Sequence, residues 1–227
     1  MTDTPYSLEV HDEVTSTQDV ALAAAANDSR VLVVAARQTQ GRGRSQRRWE
    51  TAPRALAASL AFAPSWPAAR WPLLPLVAGL AAAVPLGDRV KLKWPNDLLI
   101  GNGKVGGILV ETSGSIVVVG CGINLWWPDS PEGIAGLYDE DPGPDRLVEI
   151  ATAWADRFLE AVAGGWEHWG REEYRARCET LGRLIVWEPA GEGRAVDIDE
   201  EGGLVVETDH GRLRLGAGEV RHLRVAP

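Results

Sequence analysis

The amino-acid sequence predicts an α+β protein: a sheet flanked by helices as far as about Thr180, then a small all-β unit. Three observations point there. Short apolar runs recur between turns containing Gly and Asn, which is strand texture. Two later stretches, 147–163 and 166–178, carry apolar residues at helical spacing instead. From about Leu181 onward, short strand-like runs alternate with Gly or acidic turns, the pattern of a small β-barrel. The 227 residues are enough for two units, 1–180 and 181–227.

In chain order, 8–14 reads as a first strand. Ser16 or Thr17 can cap an alanine-rich helix running to about Asn27. The apolar run 31–37 reads as a buried strand, and a polar loop rich in Gly and Arg follows from Gln38 to Pro53. Residues 55–62 form the next strand. Pro72 suits the first turn of a helix reaching about Val84, with Pro85 beyond it. The runs 90–94, 98–100, 105–112 and 116–123 are joined by Gly101-Asn102-Gly103 and Ser113-Gly114-Ser115, which describes an antiparallel meander. The stretch 126–144 is proline-rich and aperiodic, a long loop. Short strands are expected at 184–187, 195–198, 204–207, 212–215 and 221–225.

Composition narrows the class. Hydrophobic residues make up 45% and charged residues 24%, as in an ordinary globular protein. No apolar run reaches the roughly 18 residues of a membrane span. The N-terminus lacks a basic and then apolar leader, so the expectation is a cytoplasmic protein with no membrane partner. Two cysteines, Cys121 and Cys178, exclude a disulfide framework and a structural zinc site. The net charge of −9 argues against a large nucleic-acid footprint. Its distribution is uneven: between Arg37 and Arg54 stand six arginines against one acid, Glu50. That local +5 leaves −14 for the rest of the chain and suggests an anionic ligand. All three lysines, Lys91, Lys93 and Lys104, fall within fourteen residues. Either they cluster by chance, or a compact ammonium is needed where a guanidinium fork will not serve.

Four blocks carry candidate chemistry. In Gln38-Thr-Gln-Gly-Arg-Gly-Arg44, Gly41 and Gly43 let backbone amides approach a ligand, and Arg42 and Arg44 add forks for phosphate or carboxylate. Trp49 can stack on a planar ring. The spacing is neither a Rossmann fingerprint nor a Walker A loop, and the alternative is a solvated basic loop. In Lys91-Leu-Lys-Trp-Pro-Asn-Asp97, Asn96 offers an amide to a phosphate or hydrated metal, and an Asp near Lys93 can orient its ammonium; Pro-Asn-Asp also makes an ordinary β-turn. In Gly103-Lys-Val-Gly-Gly-Ile-Leu-Val-Glu111, Gly106 and Gly107 inside an apolar run mark a close approach to backbone, and Lys104 stands at the strand's start. In Val117-Val-Val-Gly-Cys-Gly-Ile-Asn124, Gly120 and Gly122 leave room in a buried strand, with Asn124 at its exit. Cys121 reads as core rather than nucleophile, because no histidine lies nearby in sequence. Neither a nucleophile elbow nor a zinc-protease motif occurs, so hydrolase chemistry by triad or metal is poorly supported.

Together these blocks, with Ser16-Thr17-Gln18, resemble the biotin–protein ligases (biotin–[acetyl-CoA-carboxylase] ligases), in the family's order and over roughly residues 7–225. The resemblance implies a mixed sheet flanked by helices, like that of class II aminoacyl-tRNA synthetases, followed by an SH3-like barrel. It implies that biotin reacts with ATP, accompanied by Mg²⁺, to give biotinyl-5′-AMP. Biotin then passes to one lysine of a biotin carboxyl carrier domain of a carboxylase. By resemblance, Ser16, Thr17 and Gln38 contact biotin's ureido ring, and Gly41, Arg42, Gly43 and Arg44 close over the carboxylate and phosphates. Lys104 stands beside the carboxylate and α-phosphate, with Arg42, Arg44 and Lys104 as the catalytic cations. Gly107, Gly120, Gly122 and Ile123 shape the biotin slot. Trp49 is the adenine-side aromatic, and Lys93, Asn96 and Asn124 lie on the nucleotide side. No protein side chain is assigned to metal. Two departures stand out: Gln18 replaces a common Asn, and Gln46 a common Gly. The chain opens at what resembles the first catalytic strand, so the short form without a helix-turn-helix, and no DNA partner, is expected. The oligomeric state is left open. The competing readings are a lipoate or octanoate ligase of the same superfamily, and a non-enzymatic nucleic-acid module built on the arginine loop.

Overall fold

The computed structural model describes residues 5–28, 30–188, 191–217 and 223–225, and these form two sheets. The larger comprises β1 (Ser7–Val14), β2 (Arg30–Gln38), β3 (Arg54–Phe62), β4 (Val90–Lys93), β5 (Asp97–Ile100), β6 (Gly103–Ser113) and β7 (Ile116–Trp126). Their spatial order is β1-β2-β3-β7-β6-β5-β4. β1 and β2 run parallel and every other neighbouring pair is antiparallel, so the sheet is mixed. The parallel pair requires a crossover, which α1 (Thr17–Ala24) supplies; the expected meander is β4 through β7.

The sheet is covered on both faces. α1 packs with Val31, Val33, Ala61 and Val118, while Leu32 and Val34 of the same strand join the main core. This is why β2 is apolar without alternation. On the main-core side, α2 (Leu74–Ala83) packs over β4 to β7, and α3 (Asp145–Ala163) lies beside it, over β2 and β3. Between the sheet, α3 and the segments around it, α2 buries all but one of its ten residues, which suits its uniform apolarity. Trp154 Nε1 donates to the Ala78 carbonyl at 3.1 Å, and Phe158 meets Phe62 edge-on with centroids 5.6 Å apart.

The second sheet is antiparallel: β8 (Leu184–Trp187), β9 (Gly191–Ile198), β10 (Leu204–Thr208), β11 (Gly211–Leu215) and β12 (Leu223–Val225), in the order β11-β10-β9-β8-β12. Its inner residues Ile185, Ala195, Ile198, Leu204 and Val206 belong to the same apolar cluster as the first sheet. Trp94 Nε1 donates to the Gly202 carbonyl at 2.9 Å, and Trp169 Nε1 to the Glu200 carbonyl at 2.9 Å. The two sheets therefore share one core.

Three helix expectations need correction. The expected helix 166–178 is broken into a 3-10 turn, Trp166–His168, and α4 (Arg171–Arg177), because Gly170 between them takes a left-handed conformation with φ of 88°. Pro72 falls in a preceding 3-10 segment, Ala68–Leu73, and Pro75 occupies the first turn of α2. α1 ends at Ala24 rather than near Asn27. In the expected strand 221–225, residues 221 and 222 lie outside the described residues. Among the described residues no helix is long and apolar enough to cross a membrane.

Candidate active site

A cleft of about 210 Å³ opens over the middle of β6 and β7. Gly107, Gly120 and Gly122 line its floor, and Arg42, Gly43, Arg44 and Trp49 overhang it from the loop after β2. Ser16 and Gln38 close one end; Lys93, Asn96 and Lys104 line the other. The glycines have a steric reason. Trp49 lies flat enough on β7 that a Cβ at position 122 would stand 3.0 Å from its ring. The same indole reaches Gly107, and the Lys104 ammonium lies 5.6 Å from its centroid. Trp49, expected on the adenine side, thus covers two of the glycines assigned to the biotin slot.

At the polar end, the Thr17 amide and hydroxyl both donate to Gln38 Oε1, at 2.8 and 3.0 Å. Ser59 donates to the Thr17 hydroxyl at 2.8 Å. Sequence reasoning missed Ser59; its signal was a lone hydroxyl in the otherwise apolar interior of β3, where it is fully buried. Ser16 precedes α1 but makes no side-chain cap. Its oxygen instead accepts from Arg42 Nη1 at 3.1 Å.

Arg42 is the most heavily engaged cation. It forks onto Asp19 at 2.7 and 2.9 Å and onto Glu111 at 2.9 and 3.1 Å. Those bonds hold Asp19 below the usual carboxylate range and raise the guanidinium above its own. Gln18 Nε2 donates to the same Glu111 carboxylate at 3.0 Å. The loop is thereby pinned to α1 and to β6, and the Arg42 charge is already met by two acids.

The opposite end carries further cations. Lys104 Nζ stands 2.5 Å from Asp97 Oδ1. This corrects the expectation that Asp97 would orient Lys93. Lys93 and Asp97 are register partners in the β4–β5 hairpin, but a register shift in β5–β6 lets the Lys104 chain fold over Gly107 to the carboxylate. Arg44 Nη1 donates to Asn96 Oδ1 at 3.2 Å, and Nη2 donates to the Ala217 carbonyl after β11. Burial pulls this guanidinium below its ordinary value, partly opposed by Asp97. Asn96 is itself fixed, since Nδ2 donates to the Ile108 carbonyl at 3.0 Å. Arg47 and Arg48 also line the cleft, so its charge is strongly positive.

Four expected residues do not line the cleft: Thr17, Gly41, Ile123 and Asn124. Thr17 acts through Gln38, and Gly41 accepts from the Trp49 amide at 2.9 Å. Ile123 is fully buried in the core. Asn124 is buried, with Nδ2 donating to the Ala135 carbonyl at 3.3 Å. Cys121 borders the cleft but is buried, and burial pushes its thiol up, away from nucleophilic use.

A cationic cleft on a glycine floor, set in a mixed sheet, defines a protein built to hold acidic ligands. Comparison with known proteins makes this specific. The biotin/lipoate A/B protein ligase family pattern matches residues 10–125, and that of the biotin protein ligase C terminal domain matches 182–223. The chain is 35% identical over 221 residues to a biotin–[acetyl-CoA-carboxylase] ligase of Mycobacterium tuberculosis, covering 86% of this chain and 79% of that protein. It is 32% identical to the enzyme of that name from Paracoccus denitrificans, covering 83% and 88%. The biotin protein ligase of Aquifex aeolicus in complex with biotin and ATP superposes with a TM-score of 0.83 at 26% identity, covering 97% of this chain and 99% of that one. The Leishmania major biotin protein ligase in complex with biotinyl-5-AMP gives 0.69 at 26%, covering 93% and 99%. The chain belongs to the biotin/lipoate A/B protein ligase family.

Proposed function

We propose that this chain is an ATP-dependent biotin–protein ligase. It joins the biotin carboxylate to AMP and passes biotin to a lysine of a biotin carboxyl carrier domain. The observation that carries the reading is the meeting of Arg44, Lys104 and a glycine floor at one cleft, with a polar relay at its far end, in a chain of this family.

The chemistry follows from charge. A carboxylate oxygen attacks the α-phosphorus, an acyl–phosphate bond forms, and the bond to pyrophosphate breaks. Both reactants are anions, and the transition state concentrates charge at the α-phosphate. Lys104, steadied by Asp97, and Arg44, steadied by Asn96, are fixed donors for that charge. The carrier's lysine amine then attacks the acyl carbon and AMP leaves. Ser16 and Gln38, with Thr17 behind, hold the ureido end; Lys93 and Asn96 serve the nucleotide side. Trp49 moves off Gly107 and Gly122 as biotin enters and packs beside the adenine. Arg42 acts by clamping the loop, which keeps water from the mixed anhydride.

Mg²⁺ arrives with the triphosphate. Among the described residues no group of three or more His, Cys, Asp or Glu could hold a metal alone, and such an ion needs only one or two carboxylates besides phosphate oxygens. Asp97 is the carboxylate in the cleft wall. The wider reading also takes the first sheet as class II synthetase-like, the second as an SH3-like barrel, and the division as near Thr180. It places the protein in the cytoplasm, acting on a protein partner rather than on DNA, which accords with the −9 charge. The test is purified protein with MgATP, biotin and a carrier domain, read by avidin blot and by pyrophosphate exchange. Biotin-dependent exchange and a labelled carrier are expected. Exchange supported by lipoate but not biotin, or by neither, overturns the proposal.

A further inference from the structure

In the turn between β9 and β10, three consecutive residues each hold a different side chain from the segments around the first sheet. The Glu200 carbonyl accepts from Trp169 Nε1 at 2.9 Å, the Glu201 carboxylate from Arg70 Nη1 at 2.7 Å, and the Gly202 carbonyl from Trp94 Nε1 at 2.9 Å. Gly202 is buried with φ of 78°, and a Cβ there would stand 2.9 Å from Leu73 and 3.1 Å from Leu76, so no side chain fits. The turn is closed by its own carboxylate. Asp199 Oδ1 accepts from the amides of Glu201 and Gly203 at 3.0 and 2.7 Å, and Oδ2 accepts from Arg214.

Trp94 ends this chain of contacts on one side and begins the cleft wall on the other. It borders the cleft, yet it is only 1% exposed and its ring belongs to the apolar core. Its amide is fixed as well, donating to Thr180 Oγ1 at 3.0 Å. Two residues on, Asn96 accepts from Arg44; three residues on, Asp97 meets Lys104. Pro95 restricts the backbone of that short link.

Resting on the proposed ligase reading, we infer that Trp94, held by the Gly202 carbonyl, is a positioning residue for adenylation. It sets where Asn96 and Asp97 stand, and through them the Arg44 and Lys104 donors. Trp154 is the natural contrast. It is equally buried and donates to the Ala78 carbonyl at 3.1 Å, but no residue of α3 lines the cleft. A donor displaced by about 1 Å costs up to about a hundredfold in rate. The polar end that holds the ureido group lies apart from Trp94, so the loss falls on kcat rather than on the KM for biotin.

The experiment compares wild type with Trp94→Phe, Trp154→Phe, Asp199→Ala and Glu207→Ala, by thermal unfolding and by biotin-dependent pyrophosphate exchange with MgATP. Both tryptophan variants lose one indole N–H and the same ring volume, and both are expected to lower Tm. Only Trp94→Phe is expected to lower the exchange kcat, by about ten- to a hundredfold, with the KM for biotin held within about twofold. Asp199→Ala loosens the turn from within the second sheet and should reproduce that kcat loss. Glu207→Ala, which removes an exposed pair with Arg212 in the same sheet, should not. The Trp94→Phe and Asp199→Ala losses should not add, because both act through one bond. Should Trp94→Phe fail to fold, Asp199→Ala against Glu207→Ala carries the comparison. Wild-type kcat in Trp94→Phe or Asp199→Ala, an equal fall in the two controls, or losses that add, overturns the inference and leaves the ligase reading intact. Absence of biotin-dependent exchange in wild type removes both.

Discussion

Arg42 is where charge and geometry can be separated by experiment. Its guanidinium joins Asp19 and Glu111, with side-chain exposures of 32%, 58% and 39% for the three residues. Ion pairs this open to water are each worth about 0.5–1 kcal/mol, so two forked pairs contribute roughly 1–2 kcal/mol. For a chain of this size each kcal/mol moves Tm by about 2–4 °C, so Arg42→Ala should lower Tm by roughly 2–8 °C. Adenylation should fall further than stability does, because the loop loses its fastening to α1 and β6 at once. Arg42→Lys is the informative variant. It keeps the charge, but a single ammonium cannot fork onto two carboxylates. It should therefore recover less than half of the lost Tm and of the lost pyrophosphate exchange. Full recovery of both by lysine would refute the clamp and show that only a positive charge is required.

Other perturbations follow from the same geometry. Lys104→Ala should reduce biotin-dependent pyrophosphate exchange by about a hundredfold or more, the usual cost of one transition-state donor, while thermal unfolding moves little. Parallel loss of folding and exchange would contradict that role. Cys121 should resist iodoacetamide at pH 8 in the folded protein, since burial raises its thiol; rapid labelling with activity loss would reverse this. The Arg54 fork pulls Asp141 down to about 2. Because the folded value is depressed, the pair's stabilisation is complete above about pH 4 and is lost as pH falls towards 2. The Tm difference between wild type and Arg54→Met should accordingly be full at pH 7 and disappear near pH 2. A difference that grows on acidification would contradict the sign.

Local order was legible along the chain. Strand runs, the Gly-Asn turns of the meander and the glycine floor of the cleft all depend on residues a few positions apart, whose geometry is set by backbone period and side-chain size. The helix after residue 166 was misread because its apolar spacing continues across Gly170, and periodicity does not register a single left-handed residue. Arg44 and Lys104 were marked as cations by their neighbours, and both stand at the cleft.

Partner choice was not legible. Asp97 faces Lys93 across a hairpin yet pairs with Lys104, because the β5–β6 register shift lets that chain fold over Gly107. Arg42 was legible as a cation of the cleft; that Asp19 and Glu111, from two other elements, would hold it was not. Ser59 and Gln18 became part of the site only when β3, α1 and β6 came together around positions 17, 38 and 111. A residue type shows what bonds it can make. Which bonds it does make depends on what strand register and chain closure bring within about 3 Å, a distance that no spacing along the chain encodes.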